Sequence, residues 1–223
     1  MSAAAAAPQR TASLGGTGRL ADDLYLIAHH DVTGRPRLQP RGAGLGLAGA
    51  LLAELLLAGL IAIRPGMVTA VPGAEPADQP ARQVLAQVTA ERGRHGLGDW
   101  LEFLSATAVA DVAGRLSRAG YLSQVPARWP RRRTRWVPAD RDCAFAAIGR
   151  GRAALDPARP AETARAVLAG LAGACGLGPL LMQYAADGAC RPEEAAERLP
   201  PALRYLVAQT RVAVDGAVLA QRM

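Results

Sequence analysis

There is no lysine in the 223-residue chain. All 26 basic side chains are arginine, set against 19 carboxylates, which leaves a formal charge of +7. A surplus of that sign fits an anionic partner, either nucleic acid or an acidic membrane surface, and equally a basic solvated face. With so much alanine and glycine, the arginine-only choice reads as the codon usage of a GC-rich, bacterial genome. Arginine by itself is therefore no evidence for phosphate geometry. Aromatic residues are scarce too, at 4%. A core short of rings must be filled by Leu, Ala and Val, which suits packed helices better than sheets.

Cysteine is nearly absent. Cys143, Cys175 and Cys190 are odd in number and far apart. That excludes a disulfide frame and a close-spaced metal site, and it predicts reduced thiols in a cytoplasmic protein. The opening MSAAAAAPQR has no basic segment ahead of its alanine run, so no signal peptide is expected. Residues 1–18, rich in Ala, Ser, Gly and Thr, read as a disordered tail. Residues 19–223 read as one folded domain.

Enzyme motifs are also lacking. His29 and His30 are neighbours and would point about 100° apart on a helix. His95 sits in a glycine-rich loop, and none of the three has a ligand partner at metal spacing. Asp22 and Asp23 are adjacent as well, and read as first-turn helix residues rather than a carboxylate pair. Gly44-Leu-Gly-Leu-Ala-Gly49 matches a dinucleotide fingerprint only superficially, because no strand precedes it and no acidic residue follows at the right distance. The expectation is no catalytic residue, no metal, no cofactor, and a protein that is not an enzyme.

What the chain does have is a long apolar run, Gly44 to Ile63, interrupted by the single charge of Glu54. Its leucines cover most of a helix circumference, which predicts a helix buried on all sides. The run barely reaches the ~20 residues needed to span a bilayer, and a carboxylate at its middle is costly there. Gly59 should stop the helix. Ile61 to Val71, turning at Pro65-Gly66, should form a hairpin. Glu54 in such surroundings needs a partner, and an arginine from a neighbouring helix is the expected one.

Amphipathic helices are predicted around it: Leu20–His30, Ala81–Glu91, a short one capped by Asp99, a second from Thr107 to Ala119, then Arg141–Ala154, Ala161–Ala174, Pro179–Ala186, a short one from Pro192, and Ala202–Leu219 with Leu203, Leu206, Val207, Val214 and Val218 inward. The predicted class is all-α, with one or two small β-hairpins. The least ordinary stretch is YLSQVPARWPRRRTRWVP, two strands around a basic loop. It holds Arg128, Arg131, Arg132, Arg133 and Arg135, interleaved with Trp129 and Trp136. Guanidiniums so crowded repel one another and gain nothing from a core. Tryptophans beside them have the amphipathic character of rings that settle at a membrane interface. The same segment could instead meet phosphates and stack on bases.

The order LADDLYLIAHHDVTGRPR, then L-x-G-x-L-L-x-E-L-x-L-x-G from Leu47 to Gly59, then RLSRAGYL with a basic hairpin and a helical half ending RYLVAQTRVAV, resembles the Golgi phosphoprotein 3 family over residues 20–219. The resemblance implies a helical domain around a buried helix with a protruding hairpin. It implies peripheral membrane association, phosphatidylinositol 4-phosphate binding and self-association partly through the hairpin, here residues 121–138. Lined up from Glu54 and Gly120, the family's lipid-contacting positions fall on Gln39, Ala48, Ala106 and Val109, none of them cationic. Arg41 and Arg115 are the nearest arginines. The expectation is therefore a cytoplasmic protein, peripheral on the inner face of a membrane. It meets anionic head groups through Arg128, Trp129, Arg131, Arg132, Arg133, Arg135 and Trp136, with Arg41 lining an adjoining pocket. A nucleic-acid-binding or protein–protein adaptor module using the same hairpin is the alternative.

Overall fold

The central apolar run folds as a helix, α2 (Pro40–Leu57), in a computed structural model that describes residues 17–220 apart from 65, 74, 77, 92, 94, 126–134, 159–161 and 184. Proline opens α2, where its fixed φ is already helical and its missing N–H costs nothing. Gly59 closes it in the left-handed region at φ 71°. Leu60 N–H then reaches back to Leu55 O at 2.9 Å and Gly59 N–H to Leu56 O at 3.1 Å, the two bonds of a Schellman cap. The expected glycine stop is present, and the hairpin after it is too: β1 (Ile61–Arg64) pairs antiparallel with β2 (Met67–Ala70).

α2 is long and apolar enough to cross a membrane, yet 72% of the span is buried inside the protein. Its cover comes from α1 (Leu20–Ile27), α4 (Leu97–Arg118), α6 (Thr163–Ala174) and α9 (Pro201–Ala220). Two glycines let these neighbours approach closely. A methyl group on Gly44 would lie 2.5 Å from the Ser105 carbonyl oxygen on α4, and one on Gly49 would lie 2.6 Å from Thr210 Oγ1 on α9. The remaining helices are α3 (Gln79–Ala90), α5 (Arg141–Ala153), α7 (Gly178–Met182) and α8 (Pro192–Glu197). Among the described residues the only other sheet is β3 (Leu122–Val125) paired antiparallel with β4 (Arg135–Pro138). The protein is mainly helical, as its composition predicts.

Three local expectations are corrected. The two helices predicted from Asp99 and Thr107 are one continuous helix, α4. Asp99 sits in its first turn and reaches back to the Gly96 N–H at 3.0 Å, so it caps without starting the helix. The helix predicted to Ala186 ends at Met182. On α9, Val218 stands 38% exposed and Ala217 takes the inward place. The predicted tail, residues 1–18, lies outside the described residues except for its last two.

Candidate functional site

The ionised core is centred on Arg115. This arginine comes late on α4, and its guanidinium is only 7% exposed with the rest of the residue. Nε donates to Asp22 Oδ1 at 2.7 Å. Nη1 donates to Glu54 Oε2 at 3.1 Å and to Asp78 Oδ1 at 2.9 Å, and Nη2 to Glu54 Oε1 at 3.2 Å. Four segments therefore meet on one side chain: α1, α2, the residue that caps α3, and α4. Arg19 joins through Asp78, and Arg150 on α5 binds the neighbouring Asp23. The carboxylates also hold backbone: Glu54 Oε1 accepts Ala21 N–H at 2.8 Å, and Asp78 Oδ1 accepts Ala81 N–H at 3.2 Å.

Desolvation alone would make such charges untenable, and pairing is what keeps them. Burial pushes the Asp22 carboxyl up to about 6, even against the attraction of Arg115. Burial acts the same way on Asp78, but Arg115 and the Ala81 N–H outweigh it and hold that carboxyl below the usual range. Arg115 is itself held above its ordinary value: burial opposes its charge, and Glu54 and Asp22 more than compensate. A cavity of about 500 Å³ opens onto the network, with Arg19, Asp23, Asp78 and Arg150 in its wall beside Leu55 and Leu168.

The expected partner for Glu54 is therefore present. Asp22 and Asp23 are more than first-turn residues. They are buried at 0% and 4% exposure, and face different arginines as their adjacency requires. Arg19, Asp78, Arg115 and Arg150 complete this cluster from positions that the sequence does not single out as its members. The signal was local: two aspartates lie inside LADDLYLI, where all eight residues are buried. His29 packs flat on Tyr25 at 4.0 Å and its Nδ1 lies 2.7 Å from the Tyr25 carbonyl oxygen. Burial lowers its pKa, so it is a neutral donor inside the fold. Among the described residues no group of three or more His, Cys, Asp or Glu is placed to hold a metal ion.

The hairpin residues stand apart from this network. The β3–β4 register sets Leu122 against Pro138, Gln124 against Trp136 and Val125 against Arg135. Arg135 is exposed, while Trp136 is half-buried and packs against the core. Arg128, Trp129, Arg131, Arg132 and Arg133 lie outside the described residues. Arg41, in the first turn of α2, is exposed and its Nη2 sits 3.1 Å from both oxygens of Glu102. A head group at Arg41 must displace that carboxylate. Arg115 has every donor nitrogen turned onto a carboxylate and is no substitute for a lipid-binding arginine. Gln39 precedes α2, Ala48 is fully buried, Ala106 is exposed and Val109 is partly buried.

A family model described as Golgi phosphoprotein 3 (GPP34) matches residues 20–216. No curated protein matches the chain. The matched span runs from the first residue of α1 to within four residues of the end of α9, taking in the central helix, the arginine-centred network apart from Arg19, and the hairpin. The chain belongs to the Golgi phosphoprotein 3 family.

Proposed function

We propose that this protein associates peripherally with an anionic membrane surface on its cytoplasmic side, that the β3–β4 hairpin makes the contact, and that the protein catalyses no reaction. One observation carries the reading. The last described pair of the ladder, Val125 opposite Arg135, has both side chains exposed, at the mouth of a connecting sequence with four further arginines and Trp129. Near an acidic bilayer each arginine contributes about 1 kcal/mol, and several must act together before binding is measurable. Membership of the family supports a membrane role in its coarse form. The non-catalytic part of the reading rests on the core: both carboxylate oxygens of Asp23, Glu54 and Asp78 accept from arginines or backbone N–H groups, and Asp22 Oδ1 accepts from Arg115.

The test is vesicle flotation. Wild type is compared with a variant in which Arg131, Arg132, Arg133 and Arg135 are changed to Glu, on phosphatidylcholine vesicles with and without phosphatidylglycerol. Wild type should float only with the anionic vesicles, and the variant should stay at the bottom. Failure of wild type to float overturns the proposal. Flotation abolished by competing DNA points to a nucleic-acid ligand instead.

A further inference from the structure

Three chain segments gather at the root of the β3–β4 hairpin. The first is the connection from α1 to α2, residues 28–39. It folds on itself through an Arg37 N–H to Ala28 O bond at 2.8 Å and turns at Gly34, φ 60°. Gly34 is buried against the Trp136 carbonyl and Val137 Cα of β4, so close that any side chain there would overlap them. The third segment, the start of α5, follows β4 directly and is tied back to the connection by Arg141 Nε, 3.6 Å from Asp31 Oδ2. The connection, the hairpin and the first turns of α5 thus form one contiguous surface.

That surface carries more exposed apolar bulk than its charge would suggest. Val32 is 46% exposed on the connection, Val125 42% on β3, and Phe145 58% on α5. Phe145 is one turn on from Arg141 and so shares its face of the helix. Around them stand the exposed arginines Arg35, Arg37, Arg135 and Arg141, against the carboxylates of Asp31, Asp140 and Asp142. Separate large apolar side chains set among cations match the layered chemistry of an acidic bilayer, where guanidiniums stay with head groups and the rings and branched chains enter the acyl boundary. A folded protein partner would need a continuous apolar core to its interface, and here the exposed apolar residues come from three separate segments that also carry exposed arginines.

We propose that Val32 and Phe145, together with Val125, are apolar anchors of a lipid-facing platform wider than the hairpin, with an anionic bilayer as its occupant. The proposal rests on the membrane reading above and adds two anchors that lie outside the hairpin. The arginines give attraction that salt screens, since the Debye length falls to a few Å at high salt. The anchors give a contribution that salt does not screen.

The experiment is a flotation series on phosphatidylglycerol–phosphatidylcholine vesicles at low and high salt. It compares wild type, Val32→Ser, Phe145→Ser, the two combined, Phe145→Trp, and Val212→Ser as a control, Val212 being 64% exposed on α9, a helix packed against α2, α4, α6 and α8. All the positions are exposed, and a thermal melt of each variant confirms the fold. Removing Phe145 should weaken partitioning roughly tenfold. The combined variant should lose the binding that wild type retains at high salt, and Phe145→Trp should restore it. The control should bind as wild type does. If wild type binds while Val32→Ser and Phe145→Ser bind equally well at both salts, the platform is overturned and the hairpin reading stands. If wild type does not bind at all, both fall. An equal loss in the Val212→Ser control also overturns the platform, because the effect then has no place on the surface.

Discussion

Glu54 Oε1 accepts the backbone N–H of Ala21 at 2.8 Å, so the first turn of α1 is capped by a side chain that belongs to α2. Arg19, at the N-cap of α1, makes no side-chain cap of its own. The same carboxylate receives two N–H groups from Arg115. One side chain therefore closes a helix end and neutralises a buried cation at once.

Removing the cation should be the most damaging single change in the interior. Arg115→Ala leaves Asp22, Glu54 and Asp78 facing one another without their shared partner. The expected loss is about 3–5 kcal/mol, the usual cost of stranding buried charge. Arg115→Lys should recover little, because one ammonium cannot reproduce a planar fork that meets three carboxylates. Urea unfolding of the three proteins measures both differences. A cost below about 1 kcal/mol for Arg115→Ala would mean that the network does not hold these segments together.

Stability should depend on pH through Asp22 in an unusual direction. The carboxyl lies at about 6 in the fold against an ordinary 3.8, so the folded chain binds this proton more tightly than the unfolded one. Its stabilising contribution is complete below pH 3.8 and is lost as the pH rises through about 6. Asp78, held below the usual range, slopes the other way and loses its contribution as the pH falls through its folded value. Asp22→Asn keeps an oxygen for Arg115 Nε and abolishes the first slope alone. The unfolding free energy of the variant, followed from pH 4 to 6, should fall less steeply than that of wild type, and parallel curves would refute the assignment.

The glycines of α2 should differ in how well they tolerate a methyl group. Gly49→Ala drives into Thr210 Oγ1, a side chain, and should cost about 1–3 kcal/mol. Thr210→Ala in the same molecule removes the obstacle and should return much of that loss. Gly44→Ala meets the backbone carbonyl of Ser105, which cannot rotate away, so it should cost more and find no such suppressor. Thermal melts of the single and paired variants decide this.

The thiols should separate by reactivity. Burial pushes Cys175 up to about 12, so almost no thiolate is present at neutral pH. Cys143 is half-buried on α5. A thiol reagent added to the folded protein should label Cys143 and spare Cys175 until denaturant is added. Peptide mapping of the labelled chain tests this, and early labelling of Cys175 would show that α6 opens readily.

The elements most readable from sequence were those decided by short-range chemistry. Gly59 and Gly120 end their helices in the left-handed region as expected, because only glycine reaches it without strain. Gly66, at φ 81°, lies in the left-handed region between β1 and β2 for the same reason, while Pro65 lies outside the described residues. Thr107 is a cap by residue type only. A hydroxyl in mid-helix resembles a cap, yet this one is exposed on a helix that continues past it. The arginine-centred network could not be read at all beyond the need of Glu54 for a partner. Asp22 and Arg115 are 93 residues apart, and Asp23 and Arg150 are 127 apart. Nothing in the spacing marks Arg115, among 26 arginines, as a buried one. Only α1 gave a hint, through its two acids in an otherwise apolar helix. For the hairpin the composition was legible from the start, whereas the company of Val32 and Phe145 depends on how Gly34 lies against β4.

Those sequence separations also set an order of events during synthesis. α1 leaves the ribosome before the other described helices, and it carries Asp22 and Asp23 ahead of Arg115 and Arg150, the arginines that neutralise them in the fold. Arg115 becomes available only when α4 has been made, and Arg150 only near the end of α5. Until then α1 cannot bury its carboxylates without stranding them, and α2, with its leucines, has little to cover it. The nascent segment from α1 through α2 is thus both apolar and unfinished, a natural client for a chaperone, and α1 is among the last of the described helices to settle.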